Sequence, residues 1–246
     1  MDRSLYIAMS GAKETLLAQT ANNHNLANAS TNGFKADLSA FQSRAVHGPG
    51  YASRVYSTDA TVGWDNTTGA LTQTGQPLDV AVQGDGWIAV QGVDGQEAYT
   101  RAGDLHVDVN GLLQTATGHP VLGDNGPISI PPYSAISVGR DGTISIVPVG
   151  QQANTMAAVA RIKLVNPPAS NLQRGDDGLF RTNDGQPAQS DASVALASGV
   201  LESSNVNVAD AMVQMIELAR RFDLQVKAMK NTDDNAQVTA KLLGLS

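Results

Sequence analysis

The residues whose types could do chemistry are few and poorly spaced for it. Four histidines, His24, His47, His106 and His119, show neither the H-x-x-x-H interval nor the neighbouring carboxylates of a zinc site. With no cysteine there is no thiol nucleophile, thiolate metal site or disulfide framework. Gly84-Asp85-Gly86 imitates the start of a dinucleotide-binding loop, but no third glycine follows at the required place and no helical pattern succeeds it. A hairpin turn is the better reading. Asp176-Asp177, flanked by glycines, reads as a solvated turn before it reads as a weak cation site. No nucleophile elbow, P-loop or EF-hand spacing is found. The chain is therefore expected to be no enzyme, with no catalytic, cofactor-binding or metal-ligating residues.

The chemistry to explain is instead that of surfaces, and the elements that would carry them stand at the two ends. The 246 residues, 41% hydrophobic, suffice for one large domain or two smaller ones. Residues 36–204 carry a net charge of −8 while the two ends together carry +1. Such an acidic middle, without a basic stripe or aromatic platform, argues against nucleic acid and anionic membrane as partners. No apolar run reaches the roughly 20 residues of a membrane span, and the N-terminus lacks the pattern of a cleavable signal.

Stepping four and three residues alternately along the C-terminal stretch gives Val208, Met212, Met215, Ala219, Phe222, Val226, Met229, Asp233, Ala236, Ala240 and Leu243. Only Asp233 breaks the apolar series, and a 3.5-residue repeat predicts a helix packed along another helix. At 1.5 Å per residue it would be roughly 54 Å long. Asn207 is its expected N-cap, with Asp210 three residues on. The first 30 residues hold a second such series, Leu5, Met9, Ala12, Leu16, Gln19, Asn23 and Leu26, with Asp2 as N-cap and Gly33 as stop. Its natural cover is the C-terminal helix, and further helices from other subunits would partner Gln19 and Asn23.

Between the ends the period changes. Residues 36–79 read as an extended connector with one short hairpin, interrupted at His47-Gly48-Pro49-Gly50. From Val80 apolar residues alternate and turn signals recur, at Asp94-Gly95, Asn110-Gly111 and Asp141-Gly142, and Ala160 to Val165 reads as one strand stopped by Asn166-Pro167-Pro168. The expected fold class is α+β: N- and C-terminal helices paired as a coiled-coil-like bundle, with an inserted mainly-β domain and an extended connector. The expected boundaries are 1–35, 36–79, 80–200 and 201–246.

Four segments carry a family resemblance. Asn25-Leu26-Ala27-Asn28-Ala29-Ser30-Thr31-Asn32-Gly33-Phe34-Lys35 matches N-L-A-N-x-x-T-x-G-[FY]-[KR], and Gly199-Val200-Leu201-Glu202-Ser203-Ser204-Asn205-Val206-Asn207 matches G-x-L-E-x-S-N-V-[ND]. Leu78 to Trp87 resembles L-D-V-A-I-x-G-x-G-[FW], and Tyr99-Thr100-Arg101-Ala102-Gly103 resembles Y-T-R-x-G. The chain thus resembles the flagellar axial proteins of the rod and hook family. That resemblance implies a structural subunit of the basal-body rod, lying in the periplasm and exported by the flagellar type III apparatus without a cleavable signal. The run Met215 to Gln225 favours a proximal over a distal rod position, with a hook protein third. Its partners would be copies of itself and other rod proteins, with no nucleic acid, no direct membrane insertion and no cofactor. The expected assembly interface is Leu5, Met9, Leu16, Leu26, Val208, Met212, Met215, Phe222, Val226, Met229 and Leu243. The motif positions singled out are Asn25, Leu26, Ala27, Asn28, Gly33, Phe34, Leu201, Glu202, Ser204, Asn205 and Val206.

Overall fold

A computed structural model describes residues 3–45, 55–151 and 155–244. Asp2 and the His47-Gly48-Pro49-Gly50 interruption lie outside them. The chain divides into two compact units, both discontinuous in sequence. One comprises Met1–Ala29, Ala36–Asp65 and Val206–Ser246, and the other Ser30–Lys35 and Asn66–Asn205.

The first unit holds two helices, α1 (Arg3–Ala27) and α2 (Val208–Leu243), and an antiparallel pair of strands, Asp37–Ala45 with Val55–Trp64, carrying a bulge between Leu38 and Ser39. The start of α2 follows from its sequence. The Asn207 side-chain oxygen accepts the N–H groups of Ala209 and Asp210, and its amide donates to the Asp210 carboxylate at 2.7 Å. Two of the orphan donors of the first turn are thereby satisfied, and an acid sits at the positive end of the dipole. The two helices pack together, antiparallel: Asn22 of α1 is bonded to Ala211 at the start of α2, and Gly11 lies against Gln225 further on. The N-terminal and C-terminal helices do therefore pair, as their order required.

The second unit is strand-rich, and its described strand pairs are all antiparallel. A five-stranded sheet runs in the order Leu164–Val165, Trp87–Gln91, Glu97–Thr100, Phe180–Thr182, Leu172–Arg174, and a three-stranded one joins Tyr133–Val138, Thr143–Pro148 and Ala157–Arg161. Apolar alternation fills the space they enclose: Val80, Val82, Ile88, Val90, Leu113, Ile144, Ile146, Ile162 and Leu196 form one core cluster. The single strand expected from Ala160 to Val165 is two, Ala157–Arg161 and Leu164–Val165, belonging to different sheets. Strand Val200–Glu202 pairs with Leu71–Gln73, so this unit begins before Val80.

The turns fall where the sequence signals them. Asn110-Gly111 does turn the hairpin between Leu105–Val107 and Leu113–Thr115, yet only Gly111 has positive φ, at 82°. Asn110 is kept out of the left-handed region because Asp108 caps the turn, accepting the N–H groups of Asn110 and Leu112 through one carboxylate oxygen. Asp94, Asp141 and Asp177 likewise accept the N–H two residues on. At Asp108, Asp141 and Asp177 such bonds favour the charged form. The Leu112 N–H holds the Asp108 carboxyl below its ordinary value, the Thr143 hydroxyl that of Asp141, and the Arg181 guanidinium that of Asp177. Tyr99 is enclosed, its hydroxyl accepting the Ala188 N–H and donating to Glu97, and burial pushes its pKa up to about 12.

Candidate assembly interface

Among the described residues no group of three metal-ligating side chains converges, and what the structure does assemble is a buried charge cluster within the strand-rich unit. Each of the segments 25–35, 99–103 and 199–207 carries one formal charge, at Lys35, Arg101 and Glu202. The three meet. The Lys35 ammonium lies 2.8 Å from one carboxylate oxygen of Glu202 and the Arg101 guanidinium 3.0 Å from the other. The surplus positive charge is spread over neutral acceptors: Lys35 also donates to the Thr67 carbonyl, Arg101 to the Gly84 carbonyl, and Arg101 stacks 5.5 Å above Trp87. Glu202 gains a further donor in the Gly69 N–H.

Around this triad the rings and cations alternate. Trp87 lies 4.5 Å from Phe180, Arg174 stands 5.2 Å from Phe180, and Arg174 caps the Phe34 ring at 4.4 Å. The main chains are locked to one another as well, since the Gly33 N–H donates to the Glu202 carbonyl and the Asn205 N–H to the Phe34 carbonyl. Gly33 has φ of 68°, and a Cβ there would strike the backbone of Arg101 and Ala102, so only glycine admits this approach. All four segments that carried the resemblance thus converge on Glu202 and its partners. The sequence reading singled out Gly33, Phe34 and Glu202 but passed over Lys35, Arg101, Thr67 and Trp87.

The remaining motif positions divide. Asn25 is half-buried and its amide bonds both ways to the main chain of Asp37, donating to its carbonyl at 2.9 Å and accepting its N–H at 2.7 Å. Asn28 donates to the His24 carbonyl at the end of α1, and Asn205 donates to Thr67. Leu26, Leu201, Ser204 and Val206 are half-buried, whereas Ala27 is exposed.

In the helix pair the expected seams are rotated. The enclosed face of α1 runs Leu5, Ala8, Ala12, Thr15, Gln19, Asn22, Leu26, with Ala18 beside it; that of α2 runs Ala211, Met215, Leu218, Phe222, Gln225, Met229, Thr232. Both keep the four-three spacing. Each shares alternate positions with the expected series and elsewhere takes the residue before it: Ala8 for Met9, Thr15 for Leu16, Asn22 for Asn23, Ala211 for Met212, Leu218 for Ala219, Gln225 for Val226. Two causes set the phase: α1 also packs against the strand pair Asp37–Ala45 and Val55–Trp64, and small side chains let the helix backbones come close enough for the Asn22 amide to donate to the Ala211 carbonyl at 2.8 Å and for Gln225 to lie against Gly11. Asp233 leaves the seam, Thr232 takes its place, and Asp233 accepts from Gln237 on the outside.

The displaced members of the series are left on the surface. Met9 is 52% exposed, Leu16 53%, Val208 41%, Met212 52% and Val226 42%. Leu5, Leu26, Met215, Phe222 and Met229 are half-buried, and the side chain of Leu243 lies outside the described residues. Tyr6, Leu17, Val213 and Ile216 add to the uncovered apolar area of the pair.

The chain is similar to known proteins. A family profile described as "Flagellar hook protein FlgE/F/G D1 domain" matches residues 81–146, and one described as "Flagellar basal body rod FlgEFG protein C-terminal" matches 197–242. The chain is 47% identical to flagellar basal-body rod protein FlgF of Escherichia coli K12 and 45% identical to that of Salmonella typhimurium LT2, over the full length of both chains in each comparison. Flagellar basal-body rod protein FlgG of Buchnera aphidicola is 32% identical, over 97% of this chain and 99% of its own.

Proposed function

The chain belongs to the FlgF family of flagellar basal-body rod proteins, and from that membership we propose that it is a structural, non-catalytic subunit of the proximal rod. It polymerises through its terminal helices into the hollow shaft that transmits torque. Its partners are copies of itself and other rod proteins, and the flagellar type III apparatus delivers it to the periplasm. The observation that carries this reading is the uncovered apolar face of the helix pair, Met9 and Leu16 on one helix with Val208, Met212 and Val226 on the other. A full-length family match supports the same reading, and no helix of the described residues is long and apolar enough to cross a membrane.

Burying a Leu, Met or Val side chain contributes about 1.5–3 kcal/mol, so five such residues covered by neighbours would hold a subunit firmly against shear. The higher identity to FlgF than to FlgG relatives, 47% against 32%, favours the proximal over the distal rod. The test is immunogold labelling of basal bodies purified from a bacterium carrying a tagged copy. Label at the membrane-proximal end of the rod is expected. Label confined to the distal end would move the assignment to the distal rod, and unlabelled basal bodies from cells that express the chain would overturn it.

A further inference from the structure

The helix pair carries two overlapping four-three faces on each helix, and the one that closes within the chain is the poorer in hydrocarbon. Positions such as Leu5, Ala12, Gln19, Met215, Phe222 and Met229 belong to both faces. The choice between them is made at the alternate positions, where the closed face uses Ala8, Thr15, Asn22, Ala211, Leu218 and Gln225 and the open one offers Met9, Leu16, Asn23, Met212, Ala219 and Val226. Turning each helix by about half of the ~100° step between successive residues would exchange them. Area alone favours the exchange, since the open face would bury more hydrocarbon. Something specific must oppose it.

We propose that Asn22 is the selector: its buried amide, bonded to the Ala211 carbonyl, fixes which face the pair closes on and so keeps the apolar face turned outward for neighbouring subunits. Asn22 is 5% exposed and its donated bond is 2.8 Å long. Ala211 sits in the first turn of α2, and its side chain is small enough to admit the amide. Rotating the helices would break that bond and turn Asn23 into the seam in place of Asn22, and an amide buried without its partner is penalised well beyond the worth of a bond. A single polar residue in a helical seam fixes register at some cost in stability, and Asn22 does so for rotation as well. Gly11 against Gln225 is the matching contact on the next turns, where any Cβ would crowd the glutamine amide at 3.0 Å. Asn22 acts here as a positioning residue. The meaning of the outward face rests on the rod reading, while the selection itself does not.

The absence of cysteine makes the test clean. A Gly11→Cys/Gln225→Cys pair reports the closed face, and a Leu16→Cys/Ala219→Cys pair, level with one another on the same stagger but both exposed, reports the rotated one. In the isolated full-length chain under mild oxidation, the first pair should crosslink efficiently and the second poorly. Introducing Asn22→Ala, which removes the donor without adding hydrocarbon to the closed face, should lower the first at least fivefold and raise the second at least fivefold, with Asn22→Asp, which cannot donate to the Ala211 carbonyl, shifting both in the same direction. Unchanged crosslinking of both pairs in both variants overturns the proposal. So does loss of both crosslinks in both variants, which would make Asn22 a support of the pair rather than its selector. Absence of the unmodified chain from basal bodies would sink the rod reading and leave the crosslinking result standing.

Discussion

Lys35 and Glu202 are 167 positions apart in the chain, yet their ammonium and carboxylate meet at 2.8 Å with both side chains fully enclosed. Glu202 is the carboxylate that both buried cations, Lys35 and Arg101, share, so its replacement by an amide removes a charge from both pairs at once. Glu202→Gln is expected to destabilise the strand-rich unit by about 3–5 kcal/mol. Replacing all three by Met, Met and Leu should cost much less, since an apolar cluster avoids the desolvation of three ions. Urea denaturation followed by Trp fluorescence measures both; equal losses would show that packing rather than charge is at stake.

Gly33 tests the close approach of backbones beside the triad. Its φ of 68° and the adjacent Arg101 and Ala102 main chain both exclude a side chain. Gly33→Ala should lose about 2 kcal/mol or more, against about 1 kcal/mol for Gly118→Ala, whose φ is also positive but whose Cβ would meet nothing. Thermal melts of the two variants compare them directly.

The rotated seam separates two variants that the sequence placed together. Met212 is exposed and Phe222 half-buried against the partner helix. Met212→Asp should therefore leave the stability of the isolated chain within about 0.5 kcal/mol while abolishing incorporation into rods. Phe222→Asp should weaken the helix pair itself as well as assembly, with the strand-rich unit still folded. Circular dichroism at the helix bands and the protein content of purified basal bodies read the two effects. Normal rods from Met212→Asp would exclude that face from assembly.

Stability should fall at both ends of the pH scale for identifiable reasons. Tyr99 has its folded pKa raised to about 12, so its contribution is intact below the ordinary tyrosine value near 10 and is lost as pH rises from there through 12. Asp177 has its folded pKa lowered, chiefly by the Arg181 guanidinium, so its contribution is present above the usual carboxylate range and is lost as pH falls through the folded value. Tyr99→Phe should flatten the alkaline limb and Asp177→Asn the acid limb of the melting temperature plotted against pH.

What was legible in the chain was what is decided locally. The Asn207 cap, the Asn110-Gly111 and Asp141-Gly142 turns and the alternation of Ile144 and Ile146 each depend on residues within a few positions, and each stands as read. The helix seams were legible in period but not in phase. Large apolar residues gave the stronger signal, whereas the contact inside the chain is set by small ones, Ala8, Gly11, Ala12 and Ala18, whose effect is to permit close approach. The triad was hidden for another reason: its bonds span 101 and 167 positions, and nothing in three isolated charges says that they meet.

The two-way bond between Asn25 and Asp37 bears on the order in which the chain folds. It closes a loop of only 12 residues, a search of about 10–100 ns, whereas the Asn22–Ala211 bond spans 189. The corner joining helix end to strand start can form as soon as its own residues are free, long before α2 has a partner to find. A nascent chain would carry that corner early as a ready-made nucleus, and the closing of the helix pair, with its large loop entropy, would come last.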